Sequence, residues 1–236
     1  MSILQSLNRR RFLRLGTLVG GAVSATGAGA LLAGHEAAEA SILRPGQFDQ
    51  HFLTSTAQVK QIWDFSAVDG LQGGLAAMKN AANAFKFSYN KTYFLIIDLR
   101  GSAVVATLDD AMWARYKFGA KYQFFDPATG ALVSRNPFYA RSTTDNGTLS
   151  PDDPKSIYQD ATLAALVYRA SHISACHDAL QSQAALAVKD GRNHGLAADA
   201  VYRDFAAHLV HGAQETPSGS ALIAIAQPLG FTYAKQ

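Results

Sequence analysis

Residues 93–99, read YFLIIDL, decide the fold class, because every position except Asp98 is apolar or aromatic. A strand with one face in water alternates apolar and polar residues, whereas a strand buried on both faces is a continuous apolar run. Such strands are typical of parallel sheets that carry helices on both sides. The stretch therefore predicts a central strand of a parallel sheet.

The segments around this strand alternate between strand-like and helix-like patterns. Apolar and polar residues alternate over 58–65, and apolar residues recur at helical spacing over 73–89. Further helices are predicted at 103–116, 158–170, 178–189, 197–208 and 219–227, and further strands at 172–175, 212–216 and 230–234. Strands alternating with helices predict one three-layer α/β/α domain with a mostly parallel, roughly five-stranded sheet.

Residues 119–157 interrupt this alternation with a long segment rich in proline and glycine. The pattern predicts a loop insertion, with a hairpin over Asp126 to Leu132. Loops of this length in compact domains are often lids, binding loops or partner contacts. The segment also carries several aromatic side chains, so we expect it to pack against the domain: Tyr122, Phe124, Phe125, Phe138 and Tyr139.

The first 40 residues have the pattern of an export signal. A basic start containing Arg10 and Arg11 precedes an uncharged Gly/Ala-rich stretch, which ends in the small-x-small triplet 38–40. Adjacent arginines followed by Phe-Leu resemble the twin-arginine motif, so the twin-arginine translocation machinery is the expected partner. We expect cleavage after Ala40, a mature domain over 41–236 and a periplasmic location. A retained membrane anchor is the alternative.

Charge and cysteine content limit the classes of function. Four of the 21 Lys and Arg residues and two of the 18 Asp and Glu residues lie in the first 40, so the remainder is nearly neutral. A neutral domain gives no case for binding nucleic acid. With one cysteine in 236 residues, the chain forms no internal disulfide, and its free thiol is either buried and inert or exposed and used.

That thiol, Cys176, lies between a predicted strand at 172–175 and a predicted helix starting at Asp178. This spacing places it at the carboxyl end of a strand and beside the amino end of a helix. Unpaired backbone N–H groups and the positive end of the helix dipole would stabilise the thiolate and lower the cysteine pKa. The alternative is a small buried residue packed beneath the helix.

Four other residues are candidates for a binding site with Cys176. Asp98 and Arg100 end the central strand at the same edge of the sheet, where an arginine favours a small anionic ligand such as a sulfur oxyanion. His177 adds a charge or acts as a base if it faces inward. His172 is a weaker candidate, since it would have to converge with Cys176 from an earlier position on the strand.

No metal site or cofactor is predicted. His208 and His211 are three residues apart, but two histidines are at most half of a zinc site. A metal or cofactor held by histidines is kept as an alternative.

Several stretches together resemble the DsrE/TusD-like sulfur-relay family, in particular its exported members. They are LDDAMWARY (108–116), RNPFY (135–139), YQDATLAAL (158–166), SACHDAL (174–180) and GFTYA (230–234). The resemblance implies a five-stranded parallel sheet, assembly into a homo-oligomer, and a cysteine at position 176 that carries sulfur as a persulfide. The loop at 119–157 is longer than in the small cytoplasmic relay proteins, which work inside the cell.

The sequence thus predicts a periplasmic DsrE-like protein that handles or binds a sulfur compound through Cys176. One alternative is a non-enzymatic ligand-binding or oligomeric interaction module in which this cysteine is structural. The other is the histidine-based metal or cofactor site.

Overall fold

The computed structural model of the chain describes residues 49–142 and 150–236, so the predicted export signal lies outside the described residues. The described residues belong to one compact unit, Leu43–Gln236. Their centre is a five-stranded sheet in which every pair of neighbouring strands is parallel. The strands are β1 Val59–Phe65, β2 Tyr93–Leu99, β3 Ser171–Cys176, β4 Ala213–Thr216 and β5 Thr232–Lys235, in the order β4-β3-β2-β1-β5. The prediction of an α/β fold is confirmed.

Seven α-helices lie in the described part of the chain. They are α1 Leu71–Asn83, α2 Asp110–Arg115, α3 Phe118–Lys121, α4 Leu163–Tyr168, α5 His177–Lys189, α6 Ala198–Ala207 and α7 Gly219–Ala226. A π-helical turn, Ala84–Ser88, continues α1, and short 3₁₀ turns cover His51–Thr54, Ala103–Thr107, Ile157–Gln159 and Gln227–Leu229. Within the same residues, no helix combines the length and the hydropathy needed to span a bilayer.

Strand β2 is the centre of the sheet, as its apolar sequence predicts. It pairs with β1 on one side and β3 on the other, and five consecutive residues from Leu95 to Leu99 are buried. Because parallel strands in register end together, Asp64, Asp98 and Ser174 lie side by side near the carboxyl ends of β1, β2 and β3. This edge is where α/β sheets place their ligands.

Helices cover both faces of the sheet, but unequally. Most helices pack on one face, where Leu95, Ile97 and Ile173 belong to a large core with residues of α1, α5 and α6. The other face carries a small core that joins Ile62 and Ile96 to α7 and to the first 3₁₀ turn. The structure therefore has three layers, one of them thin.

Two predicted helices are shorter than the sequence pattern indicated. Residues 103–116 divide into the 3₁₀ turn Ala103–Thr107 and α2, because Leu108 is extended and the Asp109 side chain accepts a hydrogen bond from the Met112 amide. This is an N-cap, which starts a new helix. Likewise the helix predicted at 158–170 begins only after Thr162, whose hydroxyl accepts from the Ala165 amide.

The loop predicted at 119–157 packs on the domain through its aromatic residues, and its residues 143–149 lie outside the described part. Phe124 and Phe138 each lie 6.0 Å from the Trp113 ring, measured between ring centroids. An antiparallel bridge between Phe125 and Leu132 closes the predicted hairpin. The buried Asn136 amide donates to two backbone carbonyls, so the loop is held by polar as well as apolar contacts.

Candidate functional site

Cys176 is the last residue of β3 and the N-cap of α5, as the sequence predicts. Its sulfur accepts backbone hydrogen bonds from Ala179, in the first turn of α5, and from Gly219, the first residue of α7. Since the first N–H groups of a helix have no partner within the helix, the sulfur uses donors from two helix starts at once. The sequence reasoning anticipated α5 but not α7.

A cavity of about 280 Å³ opens over this sulfur at the carboxyl edge of the sheet. Its walls come from the turn after β2, the first two turns of α5 and the start of α7. The lining residues that carry chemistry are Arg100, Cys176, Asp178, Gln183, Ser218 and Ser220. The structure therefore brings Cys176 and Arg100 to one cavity.

Two larger cavities lie elsewhere in the described residues but contain less reactive chemistry. One, of about 620 Å³, is formed largely by the loop between Phe124 and Phe138. Its only carboxylate, Asp126, accepts hydrogen bonds from backbone amides of its own turn. The other, of about 460 Å³, is lined by Arg141, Tyr168 and His211 among others. We therefore place the candidate site at the cysteine, despite its smaller volume.

The prediction of a lowered thiol pKa is wrong. Burial raises the pKa of Cys176, and the two backbone hydrogen bonds oppose this shift without cancelling it. The nearby carboxyl groups of Asp98 and Asp178 add to the rise. Only 5% of the residue is exposed, so desolvation of the thiolate outweighs the helix dipole. The protonated thiol is therefore favoured, and Cys176 is one of the residues that line the cavity.

Asp98 lies next to this site, completely buried on the α7 side of the sheet. Its Oδ1 accepts a hydrogen bond of 3.0 Å from the Ser174 hydroxyl, which is in turn 2.7 Å from the Thr216 hydroxyl. Burial raises the pKa of Asp98 to about 7 against the lowering effect of the Ser174 hydrogen bond. In the described part of the chain its Oδ2 has no hydrogen-bond partner.

Gly219 connects Asp98 to Cys176. Its amide donates to the cysteine sulfur, and its Cα faces the Asp98 carboxyl group. A Cβ at this position would overlap Asp98 Oδ2 and would lie only 2.9 Å from Oδ1. Because the absent side chain leaves room for the carboxyl group, α7 can approach the sheet closely enough to reach the sulfur.

Arg100 is held by a carboxylate rather than left free for a ligand. Its Nε and Nη2 donate to the two Asp64 carboxylate oxygens at 2.5 and 2.7 Å, and the Tyr233 hydroxyl donates to the same carboxylate at 2.6 Å. Burial alone would raise the Asp64 pKa, but these hydrogen bonds hold it below its usual value. The ion pair offsets the charge of Arg100 without using all five of its donors.

His177 is buried as the prediction required, but its contacts direct it away from the cysteine. Its Nδ1 is 2.7 Å from Glu215 Oε1, and the Tyr202 hydroxyl donates to the same oxygen at 2.9 Å. These contacts tie the start of α5 to β4 and α6. His177 does not line the cavity, so the geometry gives it a structural role.

His172 also lies apart from the candidate site. It is four residues before Cys176 on β3, which separates the two Cα atoms by roughly 13 Å along a strand. Its ring stacks on Phe52 at a centroid distance of 4.0 Å, and burial lowers its pKa to about 4. Convergence of His172 with Cys176 is therefore excluded by the strand geometry.

Among residues 49–142 and 150–236, no three His, Cys, Asp or Glu side chains are grouped as metal ligands would be. His208 Nδ1 instead donates a hydrogen bond to the Asp204 carbonyl at 2.8 Å. In the described residues, therefore, no arrangement of side chains supports the histidine-based alternative.

Sequence reasoning missed Asp64, Ser174, Thr216 and Gly219. The sequence did contain a pattern that could have identified Asp64, because β1 and β2 each have an aspartate one residue before the strand ends. No protein-family model, curated protein or solved structure matches the chain. The resemblance to the DsrE-like family therefore stays a prediction.

Proposed function

We propose that the protein accepts a sulfur atom on Cys176 and carries it as a persulfide. The observation that supports this most directly is the position of Cys176, which lines an open cavity and whose sulfur accepts a hydrogen bond from an amide in the first turn of each of two helices. A purely structural cysteine needs neither the cavity nor these donors. Both features are suited to a thiolate or persulfide anion that forms during transfer.

The transfer needs no redox partner. The Cys176 thiolate attacks the outer (sulfane) sulfur of a donor R–S–SH, and a new S–S bond forms. The S–S bond of the donor breaks, and R–S⁻ leaves with the electron pair. The thiol proton passes to solvent or to the departing thiolate. The backbone hydrogen bonds from Ala179 and Gly219 oppose the rise in thiol pKa, and so increase the thiolate fraction that can react.

The test uses the chain from residue 41 onward, treated with inorganic polysulfide and examined by intact-mass spectrometry. We expect a mass increase of one sulfur atom, removed by a thiol reductant and absent from Cys176→Ser. Alkylation by iodoacetamide should be measured over a range of pH on the native protein. Its rate should rise only above the ordinary cysteine pKa, because burial raises the pKa of this thiol.

The burial of Cys176 favours a competing function. At 5% exposure the residue also fits a binding or assembly module in which the cysteine only packs. Under that alternative, iodoacetamide reacts only after denaturation and no sulfur adduct forms. Either result would contradict the persulfide proposal, because alkylation and sulfur loading both require that the reagent reach Cys176 in the folded protein.

We also propose that the protein works in the periplasm as a homo-oligomer of the DsrE-like family. The supporting features are the twin-arginine-like start, the single thiol and the sequence stretches that resemble the family. Replacing Arg10 and Arg11 together by Lys should leave the unprocessed chain in the cytoplasm. Light scattering on the processed chain should give a mass above that of one subunit.

A further inference from the structure

Asp98 is a buried titratable group that the proposed sulfur transfer does not use. Its side chain is completely buried, and its Oδ1 accepts a hydrogen bond of 3.0 Å from the Ser174 hydroxyl. Within residues 49–142 and 150–236, its Oδ2 has no hydrogen-bond partner. A buried carboxylate is stable only when hydrogen bonds or a cation offset its lost hydration. This carboxyl group therefore holds a negative charge at a high cost.

The strand register places Asp98 and Cys176 on the same face of the sheet. Asp98 pairs with Ser174, and Cys176 follows two residues later along β3. From the spacing of neighbouring strands and the rise per residue, the two Cα atoms are roughly 8 Å apart. Gly219 contacts both side chains, because its amide donates to the cysteine sulfur and its Cα faces the Asp98 carboxyl group. Since both side chains are buried, water screens a charge on one from the other only weakly.

The other titratable groups around Asp98 and Cys176 are either paired with one another or exposed to solvent. The paired groups are Arg100 with Asp64 and Tyr233, and His177 with Glu215, and the exposed one is Asp178. The neighbouring strand β4 adds the Thr216 hydroxyl, and α7 has no titratable side chain. In the described part of the chain, therefore, no ion pair offsets the charge of an ionised Asp98.

We propose that Asp98 is a positioning residue that acts through Cys176, because its proton determines how readily the cysteine sulfur holds a negative charge. This inference rests on the proposed sulfur-accepting function. When Asp98 is protonated, the thiolate forms beside a neutral carboxylic acid. When Asp98 is ionised, the thiolate forms beside a buried like charge, which lowers the thiolate fraction.

The change in Asp98 takes place near neutral pH. Burial raises its pKa to about 7, against the lowering effect of the Ser174 hydrogen bond. Below this pH the carboxyl group keeps its proton and leaves the thiolate unopposed, and above it the carboxylate opposes the thiolate. The rate at which Cys176 reacts should therefore rise less steeply with pH, above about pH 7, than the rate of a cysteine with no such neighbour.

The experiment compares alkylation of Cys176 by iodoacetamide in the wild type and in Asp98→Asn, using the chain from residue 41 onward. Asparagine keeps the shape of the side chain and an oxygen for the Ser174 hydrogen bond, but it does not ionise. Because iodoacetamide is uncharged, Asp98 acts on the thiolate and not on the reagent. The ratio of the variant rate to the wild-type rate should be close to one at about pH 6 and should rise to about tenfold at about pH 8.5. A purely structural effect of the substitution would change this ratio by the same factor at every pH.

Two further variants separate the charge of Asp98 from other effects. Ser174→Ala removes a hydrogen bond that lowers the pKa of Asp98, so the carboxylate should form only at a higher pH. This variant should react faster than the wild type near pH 7.5, and the difference should disappear above about pH 9. Asp178→Asn is the matched control, because it removes a carboxyl group from an exposed position in the wall of the same cavity. Solvent and salt screen that charge, so its rate should differ from that of the wild type by less than about threefold.

The role of Asp98 is wrong if the ratio for Asp98→Asn does not change with pH, or if the wild type reacts faster than this variant at high pH. In either case, loading of Cys176 by polysulfide would still support the proposed sulfur-accepting function. If neither iodoacetamide nor polysulfide reacts with the folded proteins, both proposals are wrong. If Asp98→Asn does not fold, Ser174→Ala decides the question, since its faster reaction near pH 7.5 is expected only when the proton of Asp98 controls the thiolate.

Discussion

Replacement of Gly219 by alanine is the most direct test of the packing that builds the candidate site. The added Cβ would overlap Asp98 Oδ2 and lie 3.0 Å from the carboxyl carbon, which is itself fixed inside the sheet. Relief of such overpacking typically costs about 1–3 kcal/mol. The change from glycine to alanine alone gains about 0.4–1 kcal/mol through the unfolded chain. We therefore expect Gly219→Ala to destabilise the protein by about 1–2 kcal/mol.

Gly73→Ala is the matched control, because Gly73 is also helical and a Cβ there would meet nothing within 4 Å. It should be neutral or stabilising. The free energy of unfolding is measured for both variants by urea titration. In an Asp98→Ala background, Gly219→Ala should lose most of its cost, because the overlapped group is gone. The reasoning would be refuted if Gly219→Ala were as stable as Gly73→Ala. It would also be refuted if Gly219→Ala cost as much stability in the Asp98→Ala background as in the wild type.

Three further outcomes are expected, each measured as the free energy of unfolding by urea titration. Burial raises the pKa of Asp98 to about 7 from 3.8. The contribution of protonated Asp98 to the free energy of unfolding is therefore complete below about pH 4 and is lost as pH rises through 7. Relative to Asp98→Asn, the wild type should therefore lose up to about 4 kcal/mol over this range. Burial lowers the pKa of His172 to about 4 from 6.5. The contribution of neutral His172 to the free energy of unfolding is therefore present above about pH 6.5 and is lost as pH falls through 4. His172→Phe, which keeps a ring against Phe52, should remove this loss of up to about 3 kcal/mol; an unchanged acid profile would contradict it. Asn136→Ala should cost about 2–4 kcal/mol because it leaves two backbone carbonyls and one amide without their partner, whereas the exposed Asn80→Ala should change stability by less than about 0.5 kcal/mol.

Much of the fold was predictable because its local signals agree with its tertiary contacts. The apolar run 93–99 is the central strand, and the predicted strand–helix junction at Cys176 is present. The errors lie where a polar residue caps a helix within an otherwise helical pattern. Asp109 starts α2 inside a stretch whose apolar spacing continues without a break. The spacing of apolar residues indicates which face of a helix is buried, but it does not indicate at which residue a new helix begins.

The site was less predictable, because half of it comes from distant parts of the chain. The carboxyl-edge placement of Asp98 and Arg100 follows from the strand pattern. The approach of Gly219 to Cys176 depends on α7 packing across the sheet, which no local spacing encodes. The sign of the cysteine pKa shift was missed for the same reason, since the helix dipole is a local property and burial is a global one.

The strand order has a consequence for how the protein is made. Of the strands in the described residues, β1 is synthesised first, but one of its edges pairs with β5, whose first residue is Thr232. About 170 residues separate the paired positions Gln61 and Thr232. Until that last strand is translated, β1 presents an unpaired edge, the kind of surface that recruits foreign strands. Pairing of this edge of β1 can therefore be completed only after nearly the whole chain has been translated.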